Sequence, residues 1–501
     1  MKTKFISILI FSVFIAQVFT SCKKDFLDKE PLDKLSSSTF WKSEADVQMA
    51  LSGVYARLQS GFYSQYKVWL DAYSDNAWDR FDYFGFKATT QGIINPTSVN
   101  TTFYNTPYRG ISACNYFLDN IGKAPISDAA KNSYSAEVKF LRGMYYFDLV
   151  QSFGGVVLYK TSPPDVASSK IAQSSKEDVL AFVKEDLDFA IANLPDQPYN
   201  GHVVKGSALA VRARVALYEK NWQKAVDLTS QIMNSGKFSI AQDYSGLFQT
   251  ATQQGNPEIM FSTKYLAPNN NQGGYAGFDI EVGWWGAVQP YQNLVDEYEM
   301  TNGKMITDPT SGYNPSSPYT NRDPRLQMSI ELPIDPTYPN SAHDNNTTET
   351  GYRMKKYTNP SNFSYTKMQN TDQNVVYIRY AEVLLMYAEA KNELSGPDAS
   401  IYTALNQIRQ RASVNLPPVN VIVNNTQSSL RDFIRHERRV ELALEGHRYY
   451  DLKRWNLMDA KLSALKNPGG VQMKFGEKNN VLPFPQSELD KNFKLKQNTG
   501  Y

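Results

Sequence analysis

The sequence predicts an all-α fold: stacked helical hairpins, about four helix pairs, interrupted by one large, irregular, loop-rich subdomain. Three observations carry this expectation. Apolar residues recur at helical spacing in paired segments joined by very short turns. Residues 236–375 abandon that spacing for Gly, Asn, Pro and Tyr, over a stretch far too long for an ordinary connection. The chain has 501 residues and two cysteines, so packing, not a disulfide framework, must hold it together.

The C-terminal third shows the hairpin best. In YIRYAEVLLMYAEAKNEL, Ile378, Ala381, Leu385 and Ala388 share one helical face, and the two alanines admit a close neighbour. Gly396-Pro397 stops this helix and starts the next, whose face is Ile401, Leu405, Ile408 and Ala412. A third helix is expected over SLRDFIRHERRVELALEGHRYYDLKRW, with Ser429 and Asp432 as a capping box. Its stripe of Leu430, Phe433, Val440 and Leu444 encloses Glu437. That carboxylate is either a catalytic acid or part of a structural ion-pair network. Arg435, Arg438, Arg439 and Arg448 lie in reach and favour the network.

At the N-terminus, Lys2 and Lys4 precede an apolar run from Phe5 to Phe19, then Thr20-Ser21-Cys22. The run is short for a membrane span and reads as an export signal over 1–21. Cys22 after small residues resembles a bacterial lipobox, which makes it the expected lipidation site; Phe19 departs from that pattern. Residues 22–38 are polar and charged and read as a tether between lipid and body. Without the export segment, basic and acidic residues balance, which argues against a nucleic-acid partner and against long-range steering of anions.

The body is expected over 39–501, with helical repeats within about 43–235 and 377–455 and the irregular insertion over about 236–375. Ser43 and Asp46 cap a helix carrying Val47, Leu51, Val54 and Leu58. Further helices are expected over about Pro107 to Ile121, after Ser127 up to Gly154, and from Ser175 to Leu194. In GSALAVRARVALYEKNWQKAVDLTSQIMNSGKF, small Ala213 and Ala225 flank a tight turn followed by Trp222, which looks like a tetratricopeptide repeat.

Two stretches carry the expected binding chemistry. Residues 62–95 interleave aromatic rings with Asp75, Asn76, Arg80 and other short polar side chains; Trp78 and Tyr83 are among the rings. Rings stack on the apolar faces of a pyranose while Asp, Asn and Arg take its hydroxyls. The same rings also suit a core. In the insertion, Trp284 and Trp285 stand between Gly283 and Gly286. On an extended backbone adjacent side chains point opposite ways, so at least one ring is expected at the surface. The four histidines have no metal-ligand spacing, and no nucleophile elbow or phosphate loop is present. An all-α glycoside hydrolase would need a pair of facing carboxylates, and none stands out. A peptide-binding repeat scaffold remains open, but it leaves the tryptophans and the insertion unexplained.

Several segments resemble the SusD/RagB family of surface nutrient-binding lipoproteins: CKKDFLDKEP with SSSTFWKSEADVQMALSGVY, QNLVDEYEMTNGK, NRDPRL, RRVELALEGHRYYDLKRW and the ending LPFPQSELDKNFKLKQNTGY. The resemblance spans the mature chain. It implies four tetratricopeptide-like pairs supporting an irregular binding face, and a lipid-anchored outer-membrane protein facing the medium. It also implies a SusC-like TonB-dependent transporter as partner and a glycan, or in some members a peptide, as cargo. The residues themselves add the expectation of capture without catalysis and without a cofactor or metal. The aromatic arc carried over to this chain draws on Asp75, Asn76, Trp78, Arg80, Tyr83, Trp284 and Trp285.

Overall fold

The computed structural model describes residues 40–82, 85–272, 277–335, 348–359 and 365–501. The expected signal segment, Cys22, the tether and Tyr83 lie outside the described residues.

Helix α1, Glu44–Tyr55, starts with the expected capping box of Ser43 and Asp46 and buries Val47, Leu51 and Val54. Helix α2 spans Thr102–Asn120 and so begins a turn earlier than the sequence suggested, with Pro107 inside it. Helix α3, Asp128–Phe153, is capped by Ser127 and stopped by Gly154 at φ +75°. Helices α4 (Lys176–Asn193), α5 (Lys205–Tyr218) and α6 (Trp222–Ser235) follow. Each packs on its predecessor, and Gly110 allows α2 and α3 to meet: a Cβ there would lie 2.3 Å from the Tyr145 ring.

The stack then jumps the insertion. Helix α6 packs directly on α7, Tyr380–Ser395, although some 140 residues separate them in sequence. Helix α7 in turn holds α8 (Ala399–Arg409) and α9 (Gln427–Glu441). The insertion therefore emerges between neighbouring repeats. Two strands close it at the base: β2, Ile259–Thr263, runs antiparallel to β6, Val375–Arg379, and between them in sequence the short strands β4, Ile330–Glu331, and β5, Arg353–Met354, pair with each other.

Three local expectations need correction. Ile378 is a strand residue of β6 opposite Phe261, and α7 begins only at Tyr380, because backbone pairing with β2 captures the preceding residues. Ala412 lies beyond the end of α8 and is exposed. The long third helix is two: α9 is capped by Thr426 and Ser429, and α10 covers Arg448–Arg454. The break falls at Gly446, φ +79°, whose N–H donates to buried Asp71 at 2.6 Å. A Cβ there would sit 2.2 Å from the Lys67 carbonyl oxygen, so only glycine fits.

Glu437 belongs to a buried ion-pair network. It accepts from Arg325 at 2.6 Å and Arg409 at 2.8 Å. One turn on, Glu441 meets Arg325, Arg379 and Arg411; between the end of α9 and the break, Glu445 meets Arg379 and Lys356. Burial opposes the Glu437 charge, but Arg325 and Arg409 outweigh it and hold the carboxyl below its ordinary range. Arg325 comes from NRDPRL, so that motif ties the insertion to α9 rather than binding a free anion. Its neighbour Arg322 donates to the carbonyls of Val295 and Tyr298.

Candidate ligand-binding site

The insertion folds back onto the early aromatic stretch through a short antiparallel pair. Strand β1, Ala77–Asp79, lies against β3, Val288–Pro290, with Trp78 opposite Gln289. Just before β3 comes a π-helical turn, Asp279–Trp284, which ends on Trp284 and Trp285. The expectation of an extended backbone is thus corrected: Trp285 N–H closes the turn on the Ile280 carbonyl at 2.8 Å. The two rings succeed one another around a helical turn, and both are half-buried, neither sealed in nor fully exposed.

The turn is braced from β1. Arg80 donates to the Trp285 carbonyl at 3.1 Å, and its own N–H bonds the Ala287 carbonyl at 3.0 Å. Gly286, φ +57°, lets the chain turn sharply into β3; a Cβ would press within 2.8 Å of Arg353. Buried Gln289 stitches the layers, donating to the Gly286 carbonyl and accepting from Glu349 N–H at 2.8 Å.

The predicted residues fall into two groups. Arg80, Trp284 and Trp285 share this surface, with half-buried Phe81 beside the Arg80 guanidinium. Trp78 lies at its edge but is 7% exposed; its Nε1 donates to exposed Glu349, and Lys87 lies over its ring at 4.5 Å. Asp75 and Asn76 are a correction: each is 1% exposed and serves the framework. Asp75 is clamped by Arg448 at 2.8 Å and Arg439 at 3.1 Å. Burial resists its ionisation, yet Arg439 and Arg448 hold its carboxyl at about 2. Asn76 donates to Asp71 at 2.6 Å and accepts from Arg439 at 2.9 Å. Composition could not separate these polar residues from surface ones, because their arginine partners lie more than 350 positions away.

Sequence reasoning missed Asp79 and Glu281. Both sit under the surface, and Asp79 Oδ2 and Glu281 Oε2 are buried without a hydrogen-bond partner among the described residues. Burial pushes both carboxyls up to about 7; at Asp79 the Phe81 N–H and Lys87 oppose the shift and Asp82 adds to it, and at Glu281 Asp79 adds to it. From about pH 4 to 7 the unfolded chain has released the Asp79 proton while the folded chain keeps it, so this group lowers stability as pH rises. Asp79→Asn, which retains the Oδ1 contact to Phe81 N–H, is expected to raise the urea midpoint at about pH 8 and leave it unchanged at about pH 4.

Elsewhere, a cavity of about 830 Å³ opens on α2 and is not lined by any predicted site residue. Among the described residues no cluster of three or more His, Cys, Asp or Glu is arranged to hold a metal, and no helix is long and apolar enough to cross a membrane.

Known proteins agree with this architecture. Residues 249–501 match the SusD family, and residues 25–217 match a group described as starch-binding associating with outer membrane. A SusD-like protein from Formosa agariphila is 30% identical over 91% of this chain and 92% of its own length. A SusD-like carbohydrate-binding protein from Bacteroides fragilis superposes with a TM-score of 0.79 at 27% identity, covering 91% of this chain and 100% of that one. A laminarin-binding SusD-like protein superposes with a TM-score of 0.73 at 25% identity, covering 92% and 100%. Helical repeats with a braced irregular insertion define the class; the chain belongs to the SusD/RagB family.

Proposed function

We propose that this protein captures an oligosaccharide on the Trp284–Trp285 ridge and passes it, unaltered, to a SusC-like TonB-dependent transporter. The observation that carries the reading is the ring pair: two adjacent tryptophans, both partly open to solvent, on a turn fastened by Arg80. Flat rings exclude water from sugar faces, and a rigid support lowers the entropy lost on binding. Arg80 and Glu349 flank the rings and offer groups for hydroxyls, with Trp78 at the edge. The carbohydrate-binding and laminarin-binding relatives of similar fold support a glycan as the cargo. Binding is expected to be modest, from about micromolar to millimolar, as for shallow wet sites.

Capture without cleavage fits the carboxylates nearby. The unpaired oxygens of Asp79 and Glu281 are enclosed beneath the surface, where they cannot reach a glycosidic bond lying on the rings. Oligosaccharide incubated with the protein is expected to be recovered at its original length by chromatography; appearance of shorter products would refute this part of the reading.

Residues 1–21 serve as the export signal, 22–38 as the tether and 39–501 as the body, held at the outer face of the outer membrane through lipid on Cys22. Cys22→Ala is accordingly expected to move the protein from the membrane fraction to the soluble fraction. Retention in the membrane fraction would argue against the anchor.

A further inference from the structure

The 830 Å³ cleft is a second, separate feature of the body. Its floor is the side of α2, its far wall the loop after α3 between residues 156 and 174, and its end the C-terminal segment around residue 490. The walls are pinned. Tyr108 donates to the Val157 carbonyl at 2.7 Å, and Tyr159 donates to the Ser169 carbonyl at 2.5 Å. Asn492 donates to the Ile171 carbonyl at 2.7 Å, and Gln173 makes a reciprocal pair with the Lys496 backbone. A concavity of this size lies within the roughly 300–1,000 Å³ range of small-molecule sites.

Its chemistry is specific. Tyr104, Tyr108 and Tyr159 line it as a row of rings, with centroids 4.7 Å and 5.9 Å apart and planes turned 48° and 75° to one another. Against it stand Arg57, Arg109 and Lys170, and none of the three side chains forms an ion pair among the described residues. Of the two carboxylates lining the cleft, Glu488 is neutralised by Lys491 at 2.8 Å, and Asp490 accepts from Gln486. The cleft therefore keeps an excess of positive charge on a chain whose formal net charge is only +2. An anionic occupant would offset this excess of positive charge.

We propose that this cleft is a second carbohydrate site, which takes a short acidic oligosaccharide by stacking a sugar face on the Tyr108–Tyr159 row and pairing carboxylate or sulfate groups with Arg57, Arg109 and Lys170. The row of rings selects a flat, partly apolar ligand, and the cations select its charge. Because the overall charge is balanced, recognition is local rather than steered from a distance. The site shares no residue with the Trp284–Trp285 ridge, so either reading stands or falls alone.

The test is calorimetry on the full chain in detergent with three acidic probes, tri-galacturonate, tri-glucuronate and a sulfated carrageenan tetrasaccharide, and with maltotriose as the neutral control. At least one acidic probe is expected to bind, with affinity falling as salt rises. The double variant R109A/K170A is expected to weaken that binding at least about tenfold, or ~1.4 kcal/mol. Replacing Trp284 and Trp285 with alanine is expected to leave it unchanged. Failure of all three acidic probes overturns the proposal, and so does acidic binding that R109A/K170A leaves intact. Loss of the same binding in the tryptophan variant would assign the acidic ligand to the ridge and also overturn it.

Discussion

Glu437→Ala lowers the melting temperature sharply and costs about 3–5 kcal/mol, the expected result of breaking a fully buried ion pair. The side chain is 0% exposed, and its loss strands two guanidiniums, Arg325 and Arg409, that are themselves 1% and 2% exposed. Arg325 retains Asp323 and Glu441, and Arg409 retains Glu299, so the network frays rather than vanishes. The insertion loosens first, because Arg325 is one of its anchors on α9. The pH dependence has a definite sign. The folded carboxyl is held below its unfolded value of about 4.5, so its contribution is present above that pH and is lost as pH falls through the depressed value. The gap between parent and variant in a thermal melt should therefore be wide at neutral pH and narrow in acid. A variant that melts like the parent but loses function would instead mark Glu437 as catalytic.

Replacing Trp284 and Trp285 together with alanine is expected to weaken glycan binding at least about tenfold, or ~1.4 kcal/mol, with the melting transition nearly unmoved. Both rings are partly solvated, so truncation opens no sealed cavity, whereas Trp69 at 1% exposed is a core ring whose removal would destabilise. The contrast separates a binding role from a packing role. Arg80 acts partly through these rings, since its guanidinium holds the Trp285 carbonyl, so Arg80→Ala should loosen the same turn.

The helices were legible because their cause is local. Ser43, Ser127 and Ser175 start helices that sequence alone placed within a residue, and Gly154 ends one, since caps and apolar spacing act within a few positions. The helical hairpin at Trp222 followed from the same periodicity. What sequence could not show was long-range pairing. Strand β6 exists because β2 lies beside it, and the break at Gly446 exists because Lys67 crosses there. Asp75 and Asn76 carried the composition of a sugar site but spend their polar groups on Arg439 and Arg448. Glu349 offered no local signal for its bond to Trp78, 271 positions away. The ridge itself was half legible: an adjacent tryptophan pair between glycines announced partial exposure, but not the π turn that delivers it.

The central claim is that partly exposed rings on the insertion grip a carbohydrate. Calorimetry of the soluble chain beginning at Lys23, run against a panel of neutral oligosaccharides and peptides beside its Trp284→Ala/Trp285→Ala variant, tests it most directly. The account predicts binding of at least one oligosaccharide by the parent and its loss in the variant. Equal binding by both proteins, or binding of peptides alone, would contradict it.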